Sequence, residues 1–111
     1  MTRREGCVFC AIAAHEEPAN IRYEDDEVII FENKLTWVPI MLLAMPKSHM
    51  LQEDLWSDPI MGKVGKAAVD LGDQVSPGGY RLVSNVGRDA MQSQSHGHIH
   101  ILGGMHLGPY A

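Results

Sequence analysis

The sequence predicts an α+β domain with a mostly antiparallel sheet of five strands, one long helix and one short helix. Three observations lead there. The elements run in the order helix, strands, helix, strands. The connections between the early strands are too short for the crossover that parallel pairing requires. The chain has 111 residues, 45% hydrophobic and 21% charged, which fits one globular domain over residues 1–111. In such a layout the helices are expected on one face of the sheet.

The short helix comes first. Val8, Phe9, Ile12 and Ala13 lie at helical spacing between Val8 and Glu16, and Pro18 and Asn20 end the run. Tyr23 to Glu27 reads as a strand end entering an acidic turn. Val28 to Phe31 is a β-branched and aromatic strand, and Asn33-Lys34 turns the chain. Pro39 to Met45 is apolar throughout, as for a strand buried on both faces, and Pro46 closes it. The long helix begins near Asp58-Pro59, a good cap followed by a tolerated first-turn proline. Its apolar positions are Ile60, Val64, Ala67, Ala68, Leu71 and Val75, and Gly62, Gly65 and Gly72 read as sites of close packing on the sheet. Ser76-Pro77-Gly78-Gly79 terminates it. Tyr80 to Ser84 is a strand, Gly87 to Met91 a loop, and Gly97 to Leu102 the last strand before Gly103-Gly104.

The net charge of −5 argues against a nucleic acid polymer as partner. No apolar run approaches the ~18 residues of a membrane helix, so no membrane partner is expected. The first residues carry no long apolar stretch, which reads as the absence of a secretory leader and as a cytoplasmic location.

Two features carry chemistry. In His96-Gly97-His98-Ile99-His100-Ile101, strand alternation puts the three histidines on one face and the isoleucines on the other. Three readings follow: a solvated edge, one zinc held by three imidazoles, or nucleophilic catalysis by a neutral imidazole. The second feature is Cys7-x-x-Cys10. It reads as a redox dithiol, as two buried free thiols, or as half of a zinc site that needs two further ligands.

The histidine alternation followed by Gly103-Gly104 resembles the histidine triad (HIT) family. So do Cys7-Val8-Phe9-Cys10-Ala11-Ile12, Tyr23-Glu24-Asp25-Asp26, Pro46-Lys47-Ser48-His49, Ser84-Asn85 and Gln92-Ser93, which follow in family order. The resemblance is to the nucleotide phosphoramidase-like branch. It implies that His98 attacks the α-phosphorus of a nucleoside phosphoramidate or related adenylyl compound and forms a covalent nucleotidyl-histidine. The His96 carbonyl would orient the His98 ring, while His100, Ser93 and Gln92 would donate to the phosphate or leaving group. A purine nucleotide would sit against Val8, Phe9, Ile12, Phe31 and Leu43, with Asn33 toward the ribose and Asn85 as a polar contact. Each of the apolar five is also an ordinary core residue. The resemblance further implies a structural zinc on Cys7, Cys10, His49 and His96, and a two-fold homodimer with one continuous sheet. A binding module with little catalysis and a dinucleoside polyphosphate hydrolase are the alternatives. Asn33 stands where an acid is usual, Met41 where many members carry histidine, and Ala90-Met91 where glycines are usual.

Overall fold

The computed structural model describes residues 2–109. Strands β1 (Ile21–Glu24), β2 (Val28–Glu32), β3 (Ile40–Pro46), β4 (Tyr80–Val83) and β5 (Ile99–Gly103) form one sheet in the order β1-β2-β3-β5-β4. Every neighbouring pair is antiparallel. The strands lie where the sequence places them, with shifts of one to three residues at their ends. The Glu24–Val28 turn is closed by Asp25, whose carboxylate accepts from the N–H groups of Glu27 and Val28, both at 2.8 Å.

Helix α1 (Val8–Ala13) and the long helix α3 (Ile60–Val75) lie on opposite faces of this sheet, which corrects the expectation of helices on one face. On one side Val28, Ile30, Leu42, Ala44 and Ile101 pack against Val64, Ala67, Ala68 and Leu71 of α3. On the other, Ile29, Phe31, Leu43 and Met45 pack against Phe9, Ile12 and Ala13 of α1. The reason is visible in β2 and β3. Both are apolar at consecutive positions, so both of their faces need cover.

A further helix, α2 (Gln52–Ser57), precedes α3 and has no counterpart in the sequence reading. It is one and a half turns long, and only Leu55 and Gln52 are buried, so it has no apolar periodicity to detect. The reading of the α3 glycines also changes. A Cβ at Gly62 or Gly65 would meet open space, whereas one at Gly72 would fall 2.7 Å from the Tyr80 ring. No helix among the described residues is long and apolar enough to cross a membrane.

Candidate functional site

Three segments meet at the candidate site: the start of α1, the connector over residues 46–52, and residues 96–100. The last sheet partners of β5 are Ala44 opposite Ile99 and Val83 opposite His100. His96, Gly97 and His98 therefore precede the strand proper, whereas the sequence starts it at Gly97. The connector takes over their backbone. Gly97 N–H donates to the Met50 carbonyl at 2.7 Å, and His98 N–H donates to Gln52 Oε1 at 2.8 Å. Gln52 Nε2 donates in turn to the His98 carbonyl at 2.7 Å.

The three histidine rings share one side, as alternation requires, but they are not solvated. His96 and His98 are buried and His100 is half-buried. Phe9 packs edge-on against both His96 and His98, at centroid distances of 6.1 and 5.2 Å. The rings then part ways. His98 Nδ1 lies 2.7 Å from the His96 carbonyl oxygen. A carbonyl only accepts, so Nδ1 carries the proton and Nε2 keeps its lone pair. Burial holds His98 below the ordinary histidine range. Burial, with His98 nearby, lowers His100 to about 4. Both rings are neutral at pH 7.

His96 is held through its other ring nitrogen. Its Nε2 donates to the Pro46 carbonyl at 2.7 Å, so Nδ1 is the unprotonated atom. That Nδ1 lies 3.5 Å from Cys10 Sγ and 3.7 Å from Cys7 Sγ. His49 Nδ1 lies 3.4 Å from Cys10 Sγ, while His49 Nε2 is buried without a hydrogen bond. Cys7, Cys10, His49 and His96 each bring one donor atom within 4.8 Å of the others. Two thiols and two imidazoles, one with its far nitrogen fixed by a carbonyl, are a donor set suited to a tetrahedral soft metal. Burial lowers His96 to about 4 and lowers His49 too, which keeps both rings unprotonated and free to ligate. Among the described residues His98 and His100 belong to no such group, so the reading of one ion on three triad histidines finds no support.

The remaining expected residues divide. Phe9, Ile12, Phe31 and Leu43 are buried in the α1-side core, while Val8 is exposed at its rim. The Asn33 amide oxygen accepts from Leu35 N–H at 3.0 Å, which leaves its NH2 group to donate. Gln92 is turned into its own loop: Oε1 accepts from Gly87 N–H and Nε2 donates to the Gln94 carbonyl. Ser93 is exposed and Asn85 half-buried. Gln52 and Trp56 also belong to the site. Trp56 Nε1 donates to Ser84 Oγ at 2.8 Å, and Gln52 Nε2 donates to the same oxygen at 2.6 Å. A lone glutamine in a short polar helix leaves no sequence signal.

An antiparallel α+β domain with one oriented, neutral histidine beside a Cys2His2 cluster defines a protein built around an alternating histidine strand. The HIT domain family matches residues 14–107. Protein HitA of Neisseria gonorrhoeae is 32% identical over 103 residues, covering 89% of this chain and 96% of that protein. A HIT family hydrolase from Clostridium thermocellum superposes with a TM-score of 0.89 at 34% identity, over 97% of this chain and 98% of its own. A histidine triad protein from Clostridium difficile does so at 0.91 and 30%, over 99% and 100%. A zinc-bound histidine triad protein from Mycobacterium smegmatis shares the fold at 0.73 and 23%, over 96% and 80%. The chain belongs to the HIT family.

Proposed function

We propose that the protein is a nucleotidyl hydrolase or transferase, acting on a nucleoside phosphoramidate or related adenylyl compound of the purine series. The observation that carries this reading is the 2.7 Å contact from His98 Nδ1 to the His96 carbonyl, which aims a neutral Nε2 as nucleophile. Nε2 forms a bond to the α-phosphorus, and the bond from phosphorus to the leaving group breaks. The departing amine takes a proton from water. His98 keeps its Nδ1 proton, and the His96 carbonyl stabilises the resulting imidazolium. Water then attacks phosphorus and gives its proton to the hydroxide left by the first step, the bond from phosphorus to His98 Nε2 breaks, and the nucleoside monophosphate leaves. His100 and Ser93 are the proposed donors to the phosphate oxygens. Turnover of α-phosphate-labelled substrate, with label trapped on His98 in wild type and absent in His98→Asn, tests the mechanism. Turnover without label on His98 would overturn it.

One observation favours a weaker enzyme. Gln92, the other expected donor, is committed to its own loop, and Met91 before it holds a left-handed conformation with φ 63°. A nucleotide-binding module with little catalysis would show nucleotide affinity with turnover no faster than His98→Asn. A dinucleoside polyphosphate substrate is the other alternative, tested by comparing its turnover with that of an adenosine phosphoramidate.

Cys7, Cys10, His49 and His96 would hold zinc in a structural role, supplying a rigid tie between α1 and the histidine strand. The gathering of these four donor atoms within 4.8 Å supports that assignment. The homodimer reading is supported by the outermost place of β4 in the sheet and by the outer side of α3, where Gly62 and Val69 are exposed and Gly65 half-buried. Two free cysteines suit a reducing, cytoplasmic compartment.

A further inference from the structure

Gln52 is fully buried, yet it is a polar side chain at the first position of a six-residue helix. Its amide is almost saturated. Oε1 accepts from His98 N–H, and the two Nε2 protons go to the His98 carbonyl and Ser84 Oγ. The assignment of oxygen and nitrogen is fixed by these partners. A flipped amide would set NH2 against an N–H and oxygen against a carbonyl.

The geometry has a specific effect on His98. Its N–H belongs to the peptide plane before its Cα and its carbonyl to the plane after it. One side chain holds both planes, and so fixes the backbone angles that direct the Cα–Cβ bond. The sheet does not do this work, because the pairing of β5 stops at Ile99 with β3 and at His100 with β4. Gly97 passes close to α2, where a Cβ would lie 3.0 Å from Leu55 Cβ. Ser84, which also accepts from Trp56 Nε1, braces the amide from behind.

We propose that Gln52 is a positioning residue for His98: by clamping both peptide groups that flank it, Gln52 sets the direction of the imidazole Nε2 toward the bond to be broken. The proposal rests on the reading of His98 as nucleophile. Gln52 acts through the backbone of His98 and touches no substrate.

Gln52→Met keeps the side-chain length and removes every hydrogen bond of the clamp. The probes are an adenosine phosphoramidate for rate, adenosine monophosphate for affinity, and long-range 1H–15N spectra of the His98 ring. The expected result is a single-turnover rate about 100-fold lower, the cost of a small misplacement of a reacting group. The dissociation constant for adenosine monophosphate stays within about threefold. The His98 ring changes from one Nδ1–H tautomer to a mixture. Should Gln52→Met fail to fold, Gln52→Glu, which retains the acceptor for His98 N–H but loses the donor to its carbonyl, is read in the same three ways. A wild-type rate, an unchanged tautomer, or equal losses in rate and affinity would overturn the proposal. Failure of the underlying reading looks different: wild type itself would form no His98 adduct, while the ring spectra would still judge the clamp.

Discussion

The ring of Phe9 stands at 88° to that of His98, with centroids 5.2 Å apart. Phe9 lies between Cys7 and Cys10 in the chain, so the residues that gather sulfur around His96 also set the wall against which His98 rests. The Cys2His2 cluster and the nucleophile candidate are joined through one aromatic side chain.

Metal removal is therefore expected to loosen α1 as well as the cluster. Purified protein should carry about one zinc per chain by elemental analysis, and Cys10→Ser should lose it. At free zinc 100-fold above its dissociation constant, the bound ion adds about 2.7 kcal/mol of stability. Calorimetry with and without chelator measures it. A chelated protein that melts at the unchanged temperature would exclude a structural metal.

Acid should destabilise the fold through His100. The folded ring resists protonation down to about 4, because of burial and the neighbouring His98, whereas an unfolded histidine titrates near 6.5. Between those values the unfolded chain holds the extra proton. The contribution is thus complete above about pH 6.5 and is lost as pH falls to about 4. For a half-buried ring the loss is on the order of 1 kcal/mol after solvent screening. Urea unfolding at pH 7, 5.5 and 4 should show His100→Gln losing less stability than wild type over that window.

Met91 is 84% exposed and left-handed, so its side chain adds little packing to offset its backbone strain. Met91→Gly should stabilise the protein by a few tenths to about 1 kcal/mol, strain relief being opposed by the greater freedom of glycine when unfolded. Chemical denaturation reads the difference. A destabilised variant would mean that the methionine side chain makes a contact worth more than the strain.

Gly97→Ala should act in the opposite direction. The added Cβ would lie 3.0 Å from Leu55 Cβ and 3.3 Å from the Leu51 carbonyl. Overpacking of this kind costs about 1–3 kcal/mol. Because Gly97 N–H bonds Met50, the shift should also reach His98, seen as a changed ring spectrum.

Much of this was legible in the residues. The five strands and the long helix follow from β-branched runs, turn residues and the 3.6-residue spacing of Ile60 to Val75. The placement of α1 opposite α3 was implicit in β3, since a strand apolar on both faces needs two covers. The alternation of His96, His98 and His100 foretold a shared face, but not their burial, because Phe9 arrives from 87 positions away. What no pattern encodes is the connector. Pro46, Met50 and Gln52 act through two carbonyls and one amide, and backbone acceptors have no sequence signature. The α3 glycines illustrate the opposite failure: Gly62 and Gly65 face open space, and only Gly72 has the close neighbour that glycine suggests.

The cluster has a consequence for how the chain comes together. Cys7 and Cys10 meet His96 across 89 and 86 residues, and Gln52 meets His98 across 46. None of these contacts is available to a growing chain until His96 and His98 have been made. Closing such loops costs entropy that short-range contacts do not. The clamp and the cluster therefore carry a larger closure cost than the hairpin contacts between β1 and β2. A chain in which they have not closed holds neither the two peptide groups that flank His98 nor the four donor atoms of the cluster in place.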